Sequence, residues 1–446
     1  MKFVSKLRII LTILMVSLGF TSSSLARYSY SSYPLSGKRN LAVEINRIIQ
    51  NSPRATIGIA VKSMKYGDTL YSYNEQHLFV PASTMKLFTA EAALLYLGPE
   101  YKFPTRILTD ASSIKNGVLN GNLYLVHSGD PSLTYDDIGA LVSNLKAQKI
   151  NTITGNIYID TTAYDQENFG PGWIWGDTRY CYGAPINASI INHNCLSFRT
   201  ATPVQVSHRN HHRHRRSQRV YTGSSVVTNI LAYNKFVLQN LFKQVGIRVG
   251  GVITAGTAPA HLPQIASHES KPLHTLVSEM LKMSDNIIAG SLFKKLGELY
   301  TKRQGSWSNG SKAVSHILSQ RANVNTSRIS LLDGSGLSPE NLATPSQMLQ
   351  VLDFAYHNYD TSYELISALP IAGVDGTLKH RLQNIAWKVR AKTGTMSGVR
   401  SLAGYVISSN KEPLAFVIMV NGRDGAGWQY KEMEDKIVTA LTRYAR

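Results

Sequence analysis

Three short groups of residues in this chain have the types and spacing needed for acyl transfer on a serine: Ser83-Thr84-Met85-Lys86, Ser284-Asp285-Asn286 and Lys392-Thr393-Gly394. A serine hydroxyl is a poor nucleophile until a base takes its proton, and a lysine can do so only when desolvation or a neighbouring cation lowers its pKa. A spacing of three on a helix puts the Ser83 hydroxyl and the Lys86 amine on adjacent turns of one face. Lys392 could supply the neighbouring cation. Lys86 is thus expected to be the base in acylation, with Ser284 relaying a proton toward the leaving amine. The Asn286 amide both donates and accepts, which suits it to orienting a peptide backbone. Lys392 and Thr393 at a strand edge would hold a terminal carboxylate, while Gly394 would let the ligand approach the backbone. The N–H groups of Ser83 and Thr395 would form an oxyanion hole.

Each group alone is weak, since S-x-x-K also occurs at Ser112, Ser143, Ser291 and Ser408, and S-x-N at Ser72 and Ser408. Context separates them. Ser83 follows Pro81-Ala82 and opens a strongly helical run to Leu97, where Gly98-Pro99 stops it, so backbone N–H groups and a positive dipole end face the hydroxyl. Ser408 falls in a hairpin turn. Taken singly, Ser83 reads as a helix N-cap; the ordered combination with the other two groups favours chemistry.

The elements that must position these groups lie at both chain ends. A helix over Leu41 to Gln50 is followed by strands at Thr56 to Ser63 and Thr69 to Tyr73 around the turn at Lys65 to Asp68. Trp387 to Lys392, Ser401 to Ser408 and Leu414 to Asn421 are β-rich, and Tyr430 to Tyr444 is an amphipathic helix. The expected architecture is an α/β (α+β) domain with an antiparallel sheet flanked by helices, built from 41–105 and 264–446. Residues 106–263, with similar strand starts at Gly121 and Gly155, are too long for a loop and predict a mostly β inserted domain. A helix near Val226 to Gln244 and a strand at Ile247 to Thr254 would end it.

The 446-residue chain carries 47 Lys and Arg against 28 Asp and Glu, a net charge of +19. Lys2, Lys6 and Arg8 precede an apolar run from Ile9 to Phe20 and small residues ending at Ala26, the pattern of a cleavable signal peptide over 1–26. The run is short for a permanent span. Residues 27–40, rich in Tyr and Ser, read as a flexible lead-in. Such a basic exported protein should be drawn to anionic lipid headgroups and acidic wall polymers, and export argues against nucleic acid. The segment 208–219 holds five arginines, four histidines and no acid; it reads first as a solvated loop, next as a contact to wall or membrane anions, and last as a metal site. Cys181 and Cys195 can close a small loop in an oxidising compartment, a bridge favoured over two buried thiols and stabilising by about 3 kcal/mol in the chain-entropy picture.

Together the three groups are the active-site set of the penicillin-recognising serine enzymes. The chain resembles one branch of them, the penicillin-binding protein 4 type of D-alanyl-D-alanine carboxypeptidase/endopeptidase, the class C low-molecular-mass group. Pro81 to Thr84, Gly129-Asp130-Pro131, Pro171 to Trp175, Asp333 to Ser338 and Ala391 to Gly394 carry the likeness, as does the long separation of Ser83 from Ser284. The resemblance implies a β-lactamase/transpeptidase-like domain interrupted by insertions. It also implies release of terminal D-alanine from peptidoglycan stem peptides, hydrolysis of D-alanyl cross-links, covalent inhibition by β-lactams, a periplasmic location and no metal or organic cofactor. Three departures stand out: Asn192 near an acidic position of the family, Pro339 in place of a basic residue, and Ser397 in place of a longer amide. The run at 208–219 sits where the family has a third domain. A β-lactamase would share the three groups, and a non-catalytic wall-binding scaffold would share the fold.

Overall fold

The computed structural model describes residues 33–204 and 217–446. The segment 1–26 lies outside them, as does the His/Arg run apart from its last three residues. Leu35–Ser36 pairs in parallel with Tyr444–Ala445, and helix α1 (Gly37–Gln50) begins inside the stretch expected as a lead-in. Its Leu41, Ile45 and Ile48 recur at helical spacing and are buried. Strands β1 (Ala55–Ser63) and β2 (Thr69–Tyr73) form the expected hairpin. A 3₁₀ turn at Ala82–Met85 then runs into α2 (Lys86–Leu97), so the regular helix starts two residues later than its sequence pattern suggests. Every residue of α2 from Lys86 to Leu94 is buried, which explains why it is apolar all round rather than striped.

Beyond α2 the chain leaves for a second unit. Its sheet contains β3 (Pro104–Thr109), β4 (Leu123–Val126), β5 (Ile157–Asp160) and two strands named below. Helix α3 (Tyr135–Ala147), not anticipated from the sequence, is capped by a reciprocal Thr134–Asp137 box. A two-stranded ribbon of β6 (Cys195–Val204) and β7 (Ser217–Val226) flanks the His/Arg segment. Helix α4 (Ile230–Val245) follows, beginning at Ile230 because Val226 still belongs to β7 and Asn229 provides the cap. Strands β8 (Ile253–Ala255) and β9 (Gln264–Glu269) complete the sheet in the order β8-β5-β4-β3-β9. β9 pairs with β3, so the unit reaches to Glu269 rather than 263. The β8-β5-β4 pairs are parallel, and α3 and α4 bury Leu141, Val142, Leu238 and Leu241 in its core.

The chain returns through α5 (Leu273–Met283), α6 (Asn286–Thr301), α7 (Trp307–Ala322) and α8 (Pro345–His357). It closes with β10 (Val389–Met396), β11 (Val399–Ile407), β12 (Pro413–Gly422) and α9 (Gly427–Arg443). The five-stranded sheet, in the order β10-β11-β12-β1-β2, is antiparallel throughout and draws its strands from both chain ends. Its two faces are read directly from alternation along β12. Leu414, Phe416, Ile418 and Val420 pack with α1 and α9 on one face. Ala415, Val417 and Met419 pack on the other with the helices that surround α2. Helix α8 packs directly against that second face, on β12 and β1. No helix among the described residues is long and apolar enough to cross a membrane.

Candidate active site

Ser83 lies in the 3₁₀ turn just ahead of α2, half-buried, after Ala82 with φ of 46°. The carbonyl of Pro81 pins this turn by accepting from the Thr84 hydroxyl at 2.7 Å and the Ser401 hydroxyl at 2.6 Å. Gly394 belongs to the same packing. A Cβ there would lie 2.0 Å from Ser401 Oγ and 2.7 Å from the Pro81 oxygen, so this glycine lets β10 press against the turn. The expectation that it clears space for a ligand is corrected: the space is filled by the Ser401 hydroxyl and the Pro81 carbonyl.

One turn on, Lys86 is fully buried. Its Nζ lies 2.9 Å from Ser83 Oγ, 2.6 Å from Asn286 Oδ1 and 2.7 Å from the carbonyl oxygen of Ser335. The Asn286 amide orientation is set by its other end, where Nδ2 donates to the carbonyl of Tyr182 at 2.9 Å. Both Asn286 Oδ1 and Ser335 O can therefore only accept. A neutral amine has two hydrogens and one lone pair; the two hydrogens go to these oxygens, and the lone pair faces the hydroxyl proton of Ser83. Burial pushes Lys86 down to about 7, with Asp333 and Asp285 pulling it partly back. Of the two expected causes, desolvation is the one that acts on Lys86, and the other, a neighbouring cation at Lys392, does not. Lys392 is itself fully buried and is held well below its ordinary value by that burial and then by the charge of Lys86.

Ser284 ends α5 in a left-handed conformation, φ 61°, and the Asp285 carboxylate caps α6 by accepting from Ile287 N and Ile288 N at 2.8 and 2.9 Å. The middle residue of Ser-Asp-Asn thus makes the sharp corner that lets Ser284 and Asn286 face the same cleft. Lys392 Nζ donates to Ser284 Oγ at 2.9 Å and to the Thr393 carbonyl at 2.8 Å. With an incoming donor at its oxygen, Ser284 keeps its own proton free for another partner. Thr393 donates its hydroxyl to Thr377 at 2.8 Å. Thr395 lies two residues beyond Thr393 on edge strand β10, exposed and in register with Arg400.

Several supporting groups were not found from residue types alone. Asp333 is buried and gathers the loop 333–338: its oxygens accept from Ser335 N at 2.9 Å, Gly336 N at 2.6 Å, Ser338 N at 2.9 Å and Trp173 Nε1 at 2.6 Å. That loop aims the Ser335 carbonyl at Lys86, and no spacing rule reports a backbone carbonyl. Cys181 and Cys195 form the expected disulfide, next to Tyr182. Asp177, passed over in the sequence, accepts from the Tyr182 hydroxyl at 2.7 Å. Asn192 Oδ1 accepts from Tyr135 N at 3.2 Å, and Ser397 donates to Asp424 at 2.7 Å. A cleft of about 440 Å³ borders Ser284, Asn286, Met283, Tyr182, Asn192 and the disulfide.

The sequence pattern of the D-Ala-D-Ala carboxypeptidase 3 (S13) family matches residues 41–225 and 215–444. The D-alanyl-D-alanine carboxypeptidase DacB of Haemophilus influenzae is 32% identical over 85% of this chain and 88% of its own. The D-alanyl-D-alanine carboxypeptidase of Actinomadura sp. (strain R39) is 31% identical over 88% of this chain and 82% of its own. The crystal structure of penicillin binding protein 4 (dacB) from Haemophilus influenzae superposes with a TM-score of 0.81 at 31% identity, covering 90% of this chain and 99% of that one. Its complex with a novel β-lactam gives 0.76 at 30% identity, with 90% and 100% covered.

Proposed function

This chain belongs to the D-Ala-D-Ala carboxypeptidase 3 (S13) family, and from that premise we propose that Ser83 is the nucleophile with which it cuts the D-Ala-D-Ala bond of peptidoglycan stem peptides. The protein is a serine-type D-Ala-D-Ala carboxypeptidase. The observation that carries the residue assignment is the lone-pair geometry of Lys86, whose two hydrogens are claimed by Asn286 Oδ1 and Ser335 O while Ser83 Oγ sits 2.9 Å away.

In acylation, Lys86 takes the Ser83 proton as Oγ bonds to the carbonyl carbon of the penultimate D-alanine. The N–H groups of Ser83 and Thr395 stabilise the oxyanion. The carbon–nitrogen bond then breaks, and the leaving amine takes a proton through Ser284, which is replenished from the Lys86–Lys392 side. Water next attacks the ester and gives a proton to Lys86, which returns it to Ser83. Lys392, Thr393 and the Asn286 amide hold the substrate carboxylate and backbone. The same acyl-enzyme accounts for hydrolysis of D-alanyl cross-links, because only the leaving amine differs. A β-lactam acylates Ser83 by the same attack on its strained amide. In this reading residues 1–26 export the chain to the periplasm, 41–103 and 270–446 form the catalytic domain, and the segment between them, with β3 and β9 in its sheet, is inserted. A contact of the run at 208–219 to anionic wall or membrane surface comes second to its reading as a solvated loop.

The test is incubation with labelled penicillin and mapping of the adduct by mass spectrometry. A long-lived adduct on Ser83, absent from Ser83→Ala, is expected. Rapid turnover of the adduct would favour a β-lactamase, and no adduct on folded protein would favour a scaffold.

A further inference from the structure

Apart from the cleft, a cavity of about 410 Å³ opens on the inserted unit, between the end of β5 and the start of α4. Its polar wall includes Thr161, Gln166, Asn168, Asn187, Thr228 and Asn229, with the aliphatic side chains of Ile159 and Leu231 alongside. No charged side chain lines it. Three of the amides are held by hydrogen bonds: Asn187 Nδ2 donates to Asn168 Oδ1 at 3.0 Å, and Asn229 Oδ1 caps α4 by accepting from Ala232 N at 2.9 Å. That leaves the NH₂ groups of Asn168 and Asn229 pointing elsewhere. The Gln166 amide and the Thr161 and Thr228 hydroxyls have no side-chain hydrogen bond within the described residues.

These facts narrow the ligand. A charged molecule would find no countercharge in this wall, and a wholly apolar one would cover its donors and acceptors without pairing them. A sugar ring fits both requirements, because it carries neutral hydroxyls around its edge and C–H groups on its face. An acetamido substituent adds an amide for the Asn and Gln groups and a methyl for the aliphatic side. The volume falls in the roughly 300–1,000 Å³ range of small-molecule sites.

We propose that this cavity binds an N-acetylated amino-sugar unit of the glycan that carries the stem peptide. Chain connectivity places it within reach of the cleft. Asn187 on the cavity wall and Asn192 on the cleft wall are five residues apart, so their Cα atoms lie no more than about 18 Å from one another. An extended stem of five residues spans roughly 17 Å. One stem and its sugar can thus occupy both sites. The link to the cleft rests on the peptidoglycan reading above; the ligand class of the cavity does not.

The experiment titrates the protein with N,N′-diacetylchitobiose by NMR or calorimetry, for the unmodified chain and for Gln166→Leu/Thr228→Val. Both substitutions keep side-chain volume nearly constant at exposed positions, and Ser83 acylation by penicillin checks that the fold is intact. Saturable binding is expected, weakened at least tenfold in the double variant, with acylation unchanged. The variant's kcat/KM on a stem attached to the disaccharide should fall at least fivefold, while that on the free pentapeptide stays level. No saturable binding at millimolar disaccharide, or equal binding by the variant, overturns the proposal. Disaccharide binding with no Ser83 acylation supports the cavity assignment and counts against the enzyme reading alone.

Discussion

Lys86 carries its amine in a fully buried position where its bonding partners are a hydroxyl, an amide oxygen and a carbonyl. Without a carboxylate bonded to it, the charged form loses its hydration and the pKa falls to about 7. The direction of the resulting pH dependence follows. Below pH 7 the amine is protonated and has no lone pair for Ser83; above it the base is available. Stopped-flow acylation by penicillin should therefore rise with pH through about 7, and a flat profile between pH 6 and 8 would count against Lys86 as base. Lys86→Arg, permanently charged, should lose about 10²–10⁴-fold in rate together with the rising limb. A second residue checks the same cause from outside. Asn286→Asp would set a carboxylate 2.6 Å from Nζ in place of Oδ1, so the rising limb should move to higher pH by about 1–3 units. An unmoved limb in a slower enzyme would mean that Asn286 only orients substrate.

At the scale of elements, the site is a meeting of three ends: the turn before α2, the corner between α5 and α6, and the edge strand β10. The loop 333–338 packs against the first of these ends and against α6. Gly336 has φ of 80°, and a Cβ there would lie 1.9 Å from the carbonyl oxygen of Ala82, the residue before Ser83. Gly336→Ala should cost about 2–4 kcal/mol of stability, more than the left-handed backbone alone would require. It should also slow acylation, since displacing the loop moves the Ser335 carbonyl away from Lys86. Gly425→Ala is the control, because Gly425 has φ of 84° but open space where the Cβ would go. Denaturant titration of both variants separates packing from backbone strain; equal losses would remove the packing argument. The elements themselves were largely legible. Alternation marked the strands of the central sheet, and Pro81 and Gly98 marked the bounds of the helical region. Helix α3 escaped because its apolar positions sit in a region dominated by short strand signals, although Thr134 and Asp137 are a recognisable cap.

For the whole molecule, the central sheet joins strands from residues 55–73 and 389–422, and the inserted unit lies between them in sequence with a core of its own. The Cys181–Cys195 bridge ties the loop bearing Tyr182 to the start of β6, at the edge of the cleft. Since the Tyr182 carbonyl orients Asn286, the bridge acts on the site through one hydrogen bond. Cys181→Ala/Cys195→Ala should lower stability by about 3 kcal/mol and slow acylation several-fold. Melting curves and acylation rates, with the unmodified protein in reductant for comparison, test both parts. A stability loss with unchanged acylation would show that the loop holds its place without the bridge.

The amino-acid sequence by itself determined the residue types of the site, their order, the α/β architecture and the pairing of the only two cysteines. It could do so because hydrophobic period, turn chemistry and the Ser-x-x-Lys spacing are local properties of a chain. Tertiary structure alone decided how Lys86 loses its charge, which atoms take its hydrogens, and why Gly394 and Gly336 must lack side chains. Those outcomes depend on groups as far apart in sequence as Pro81 and Ser401 being brought into one buried space, where a backbone carbonyl counts as much as any side chain.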